Sequence, residues 1–97
     1  MENSESLRHQ RLLVLQDFQR RGLIRMLAED VPFAILQQGK IVASYEAAFV
    51  YFTAYGVQVI EDIGGSPSLR RMFERQWGAH PIVINEHSLH MLPGKPI

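Results

Sequence analysis

Apolar residues along this chain fall into blocks separated by glycine, proline or short polar runs, and the period of the blocks changes from one end to the other. Between Leu7 and Glu29 large aliphatic residues recur every three or four places, which predicts one long helix over 7–29, or two joined near Gly22. Ser4 or Ser6 is placed to cap it. Projected at about 100° per residue, Leu7, Val14, Phe18, Leu15, Met26, Leu12, Leu23 and Leu27 form one arc wider than the stripe of a helix lying on a single surface. Either the helix bends at Arg21-Gly22, or one side packs on its own domain and the other on another chain. The second alternative marks Leu7, Arg11, Val14, Phe18, Arg21 and Arg25 as a candidate partner-binding face.

Beyond residue 30 the period shortens. Pro32–Leu36 reads as a strand, Gln37-Gln38-Gly39-Lys40 as a turn and Ile41–Ala43 as a second short strand. Ser44 then resembles an N-cap for a helix over Tyr45–Tyr55 stopped by Gly56, with an extended 49–55 as the alternative, since aromatic and β-branched residues also favour strands. Val57–Glu61 alternates as a strand does. Ser66-Pro67-Ser68-Leu69 is a strong helix start, and Leu69, Met72, Phe73 and Trp77 make one apolar face before Gly78. His80–Asn85 reads as a strand, with Ser88–Leu92 returning beside it. Strands joined by helices need crossover connections, so the expected fold class is α/β: a small parallel or mixed sheet with helices on both faces, preceded by a long N-terminal helix.

Composition narrows the chemistry. The 97 residues allow a single domain, 1–97, with residues 1–5 and 93–97 expected to be flexible ends. There is no cysteine, which excludes disulfides, thiolate nucleophiles, Cys-ligated zinc and iron–sulfur clusters. Lys plus Arg equals Asp plus Glu, 10 each, and a neutral chain makes a poor general coat for nucleic acid. No apolar stretch is long enough to span a bilayer, and the acidic start is unlike a signal peptide. A cytoplasmic protein without a cofactor or membrane contact is the expectation.

Residues 56–89 contain a strand ending in acids (Val59-Ile60-Glu61-Asp62), a helix begun at Pro67-Ser68-Leu69-Arg70, and the junction Trp77-Gly78-Ala79-His80-Pro81. The apolar strand Ile82-Val83-Ile84 and the polar turn Asn85-Glu86-His87 follow. In that order they resemble the C-terminal part of thioredoxin-like domains, glutaredoxins included. The resemblance implies a thioredoxin-like fold in which Pro81 is the candidate for the structural cis-proline. Redox cysteines of that family would lie near residues 43–48, and this chain has none there; the family's final helix is also missing. What the resemblance implies is therefore a redox-inactive scaffold used for binding.

The sharpest candidate for chemistry is the turn Gly64-Gly65-Ser66-Pro67-Ser68, where backbone N–H groups and a helix start favour an anion, with Arg70 and Arg71 close behind. Gly64, Gly65, Ser66, Ser68, Arg70 and Arg71 are the candidate anion-binding residues, although the spacing matches neither a P-loop nor a dinucleotide fingerprint. His80, Glu86, His87 and His90 lack metal-site spacing, and a His80 base lacks a convincing nucleophile. Tyr45, Phe49, Tyr51, Phe52, Tyr55 and Trp77 read as core before they read as a ligand pocket. Arg outnumbers Lys by 8 to 2, a composition suited to interfaces. The expectation is a non-catalytic accessory, adaptor or inhibitor module that binds another protein, including a second copy of itself as a homo-oligomer. The alternatives are a phosphate or nucleotide binder (or an enzyme) at residues 64–71, and a nucleic-acid-binding regulator using Arg70, Arg71, Arg75 and the arginines of the first helix.

Overall fold

The computed structural model describes residues 4–94, and in it the first helix ends well before residue 29. Helix α1 spans Ser4–Arg20 and strand β1 spans Ile24–Gln37. The stop is a Schellman motif: Gly22 has φ 76°, Leu23 N–H reaches Phe18 C=O at 2.9 Å, and Gly22 N–H reaches Gln19 C=O at 3.0 Å. Leu23 and Phe18 also pack in the same apolar cluster, the contact that usually accompanies this stop. The arc expected to be too wide for one surface is therefore divided, because Met26 and Leu27 belong to the strand and Leu23 to the bend that precedes it.

A second correction concerns residues 45–55. They form no helix; β2 runs from Lys40 to Thr53 and pairs antiparallel with β1 along its length. The connection is tight, with Gln38 and Gly39 both at positive φ (51° and 77°), as a two-residue type I′ turn requires. β3 (Gln58–Asp62) adds antiparallel to β2, and α2 (Pro67–Trp77) carries the chain over to β4 (Ile82–Val83), which lies parallel to β3. The sheet is four-stranded and mixed, in the order β1-β2-β3-β4. Ser88–Leu92 does not return as a strand: a 3-10 turn at Glu86–Ser88 is followed by an irregular strap. No cis peptide occurs among the described residues, so the His80–Pro81 bond is trans, against the expectation for Pro81.

β2 was misread because it is the middle strand between two apolar clusters. Leu15 and Phe18 of α1 pack with Phe49, Tyr51 and Val59, whereas Phe73 of α2 packs with Tyr45, Val50 and Ile60. Adjacent residues such as Val50 and Tyr51 thus point to different clusters, as pleating dictates. A strand buried in this way reads as an uninterrupted apolar run, which periodicity alone cannot separate from a buried helix. The pleat changes phase between Ala47, in the second cluster, and Phe49, in the first. Across the ladder from that change Asp30 has φ 51°.

Helices do not flank the whole sheet. In the distal half of the β1–β2 hairpin the pairs Val31/Ala47, Phe33/Tyr45 and Ile35/Ala43 all join the α2 cluster. By alternation the other face of that half carries Pro32/Glu46, Ala34/Ser44 and Leu36/Ile41, mostly exposed. A bulge between Ile35 and Leu36 leaves Val42 as the extra residue.

The free edge of β1 is blocked by side chains. Gln76 Oε1 accepts from Leu36 N–H at 2.8 Å while its Nε2 donates to Ala34 C=O at 3.0 Å, and the Trp77 indole N–H donates to the same carbonyl at 3.2 Å. Gln19 Oε1 accepts from Leu27 N–H at 2.9 Å, and Pro32 has no N–H to offer. Of the ends expected to be flexible, residues 1–3 and 95–97 lie outside the described residues. Ser4 and Glu5 already belong to α1. Pro93 is buried, and a side chain at Gly94 would collide with the Thr53 methyl. Among the described residues no helix is long and apolar enough to cross a membrane.

Phe73 is fully buried and stacks on Tyr45 at 4.7 Å and against Phe33 at 4.8 Å. Phe73→Ala is expected to lower the free energy of unfolding by about 3–5 kcal/mol, the usual cost of emptying an aromatic core site. Urea denaturation measures it, and a loss near zero would show that α2 is not anchored through this ring.

Candidate functional site

Two carboxylates close β3, and the pleat sends them in opposite directions. Glu61 enters the space under α1; Asp62 faces the turn that leads into α2. Both are buried, Glu61 at 0% exposure and Asp62 at 1%. A buried carboxylate must find a partner or take up a proton, and each has found several.

Glu61 is held by Arg11, itself fully buried. Nε donates to Oε1 at 2.9 Å and Nη2 to Oε2 at 2.5 Å, the two-pronged fork that a planar guanidinium forms with a carboxylate. Nη1 of Arg11 donates to the carbonyls of Leu89 at 2.8 Å and Met91 at 2.9 Å. The Tyr51 hydroxyl completes the group by donating to Glu61. Burial alone would lower the pKa of Arg11, but the hydrogen bonds and charge of Glu61 outweigh it and the net shift is upward. Tyr51 is raised by burial and then by the adjacent carboxylate.

Asp62 accepts from the Tyr45 hydroxyl at 2.6 Å, from Gly65 N–H at 2.9 Å and from Arg70 Nη1 at 3.3 Å. Tyr45 is raised too, first by burial and then by its hydrogen bond to Asp62. At the helix start the Ser66 hydroxyl accepts from Leu69 N–H at 3.3 Å and lies 3.0 Å from Ser68 Oγ.

The structure does assemble an anion cradle at Gly64–Arg70, and the anion in it is the chain's own Asp62. Gly65 N–H and the Arg70 guanidinium, the donors expected to grip a phosphate, are turned inward on that carboxylate. A Cβ at Gly65 would lie 2.6 Å from Asp62 Oδ1, so glycine there serves the close approach of the carboxylate. Gly64, Ser66, Ser68 and Arg71 remain exposed at the rim.

The candidate partner face on α1 is largely consumed by the domain. Arg11 and Phe18 are buried, Leu7 and Val14 are half-buried, Arg21 contacts Asp17 at 3.3 Å, and Arg25 is on β1. The histidines do not converge: His80 Nδ1 lies 3.3 Å from Glu74 and His87 Nε2 lies 3.8 Å from Glu86. Among the described residues no group of three or more His, Asp or Glu is placed to hold a metal. Tyr45, Phe49 and Tyr51 are core and Phe52 is half-buried, whereas Tyr55 and Trp77 are exposed.

Sequence reasoning missed Tyr45 and Tyr51 as carboxylate partners and read Arg11 as a surface group. One signal was present. Arg11 stands four residues after Leu7 and four before Leu15, on the apolar stripe itself, and a cation there must meet a buried anion. Comparison of the chain with protein-family models, with curated proteins and with solved structures finds no match in any of the three.

Arg11→Met leaves Glu61 buried without its cation and is expected to cost about 3–5 kcal/mol of stability. The double variant Arg11→Met/Glu61→Leu is expected to recover most of that loss, since two apolar residues replace the pair; chemical denaturation of the unmodified chain, both single variants and the double variant closes the cycle. A second expectation concerns alkali. Tyr45 and Tyr51 have native pKa values raised above the unfolded value, which is about 10. Their contribution is thus complete below about pH 10 and is lost as pH climbs through the raised native values. Unfolding free energy should decline above that point, and the decline should be shallower in Tyr45→Phe and Tyr51→Phe.

Proposed function

We propose that the chain is a non-catalytic accessory module that works by holding another protein. The observation carrying this reading is the contrast between its interior and its surface. Buried ionisable groups that might have done chemistry are paired with one another, and no buried side-chain polar atom among the described residues lacks a hydrogen-bond partner. Large apolar side chains meanwhile stand in water at the distal end of the β1–β2 hairpin: Leu36 (47% exposed), Ile41 (72%) and Val42 (50%). Leu36 and Ile41 are cross-strand partners and so form one continuous surface. Exposed apolar groups gathered at one place mark contact surfaces more often than chance.

The phosphate reading is weaker, because Asp62 occupies the donors a phosphate would need. A redox-inactive thioredoxin-like scaffold is compatible with this proposal, and the mechanism does not depend on it. A protein-binding module of this kind acts by occupancy: its effect follows from which partner it covers or bridges.

The double variant Leu36→Lys/Ile41→Lys tests the reading. Both positions are exposed, so the melting temperature should stay close to that of the unmodified chain. The unmodified chain should either self-associate in light scattering or retain a defined protein from native extract, and the variant should do neither. A chain that stays monomeric and retains nothing, or a variant that retains the same protein, would overturn the proposal.

A further inference from the structure

Beside the hairpin tip, between the end of β1 and α2, lies an open groove of about 320 Å³ lined by Ile35, Leu36, Gln37, Met72, Arg75 and Gln76. Its floor is apolar and one cation, Arg75, stands in its wall; Arg75 also lines a neighbouring recess together with Arg71. Arg8, Arg11, Arg20, Arg21 and Arg70 each lie within ion-pair distance of a carboxylate. Arg25, Arg71 and Arg75 do not, among the described residues, and the last two stand one helical turn apart on the exposed side of α2. Two like charges at that spacing repel each other. Glu74, the carboxylate between them, sits 3.3 Å from His80 instead.

Resting on the protein-binding reading above, we infer that this groove takes an acidic segment of a partner protein that carries a large apolar anchor residue. The anchor covers Leu36 and Met72 above the buried Ile35, while its flanking carboxylates meet Arg75 and, one turn back along α2, Arg71 and relieve their repulsion. The segment does not dock as an added strand. Gln76 already holds Ala34 C=O and Leu36 N–H, so recognition runs through side chains. Trp77 follows the groove residue Gln76 and bonds the same Ala34 carbonyl, with its ring 5.3 Å from Phe33. It is the only tryptophan of the chain, and through the carbonyl it shares with Gln76 its emission is expected to change when the groove is filled.

The test is selection of a random displayed-peptide library on the full chain, followed by titration of the enriched peptides with Trp77 fluorescence as the signal. Enriched peptides should combine a Leu, Met or aromatic residue with two or more carboxylates. Their affinity should fall about tenfold on Arg71→Gln/Arg75→Gln, as loss of two exposed ion pairs would produce, and should weaken with added salt. Both substitutions are on the solvent side of α2 and leave its core face intact. Enriched peptides that are basic or uncharged, or that bind the double variant equally well, overturn the inference while leaving the module reading in place. Dimerisation abolished by the same variant would assign the groove to a second copy and overturn it likewise. A library that yields no binder at all overturns both.

Discussion

Arg11 and Glu61 face each other wholly out of water, and taking two such charges from solvent is unfavourable by several kcal/mol each. The pair persists because its geometry uses nearly every polar atom involved. Two guanidinium nitrogens grip the carboxylate, a third nitrogen binds two carbonyls of the strap, and Tyr51 donates to the carboxylate from the neighbouring strand. Helix, sheet and C-terminal strap therefore meet at one side chain. Hydrophobic packing would permit α1 to rotate or slide by part of a turn with small loss, whereas this fork would not. The apolar clusters supply the driving force; the ion pair selects one arrangement among those the clusters allow.

Asp62 repeats the logic on the opposite side of β3. Tyr45, Gly65 and Arg70 gather on it, so α2 starts where the carboxylate dictates and Ser66 caps it there. Consecutive acidic residues at a strand end thus tie down the two helices separately. This explains why a neutral chain with many arginines has an interior rich in charge. Two of its arginines serve carboxylates of β3, two more pair with Asp17 within α1, Arg8 pairs with Asp30, and Arg25, Arg71 and Arg75 are left exposed.

Much of the fold was legible in the sequence where local rules decide the outcome. The Gln38-Gly39 turn, the Ser66-Pro67 helix start, the Gly78 stop and the alternation into β3 all appear where those residues require them, because each depends on a few adjacent side chains. The failures share a different cause. At Gly22 the apolar spacing continued on either side, and only the pairing of a left-handed glycine with Leu23 and Phe18 distinguishes a Schellman stop from a bend. In β2 the run Ala47–Phe52 is buried from two directions, which erases the period that separates strand from helix. The candidate site was legible in part: the glycine turn was located, but the anion filling it sits three residues before Gly65, within the chain. Arg11, Tyr45 and Tyr51 converge on Glu61 and Asp62 only once the hairpin is folded, and no spacing rule anticipates a contact across fifty residues.

Gln76 has a consequence for how molecules of this kind can meet. By presenting an amide to Ala34 and Leu36 it imitates the backbone of an absent neighbour, and the hairpin's outer margin is satisfied without one. Generic main-chain adhesion, which joins unlike sequences indiscriminately, is thereby denied at that margin. Whatever associates with the distal hairpin must do so by shape and charge, properties that single substitutions can retune without rebuilding the scaffold.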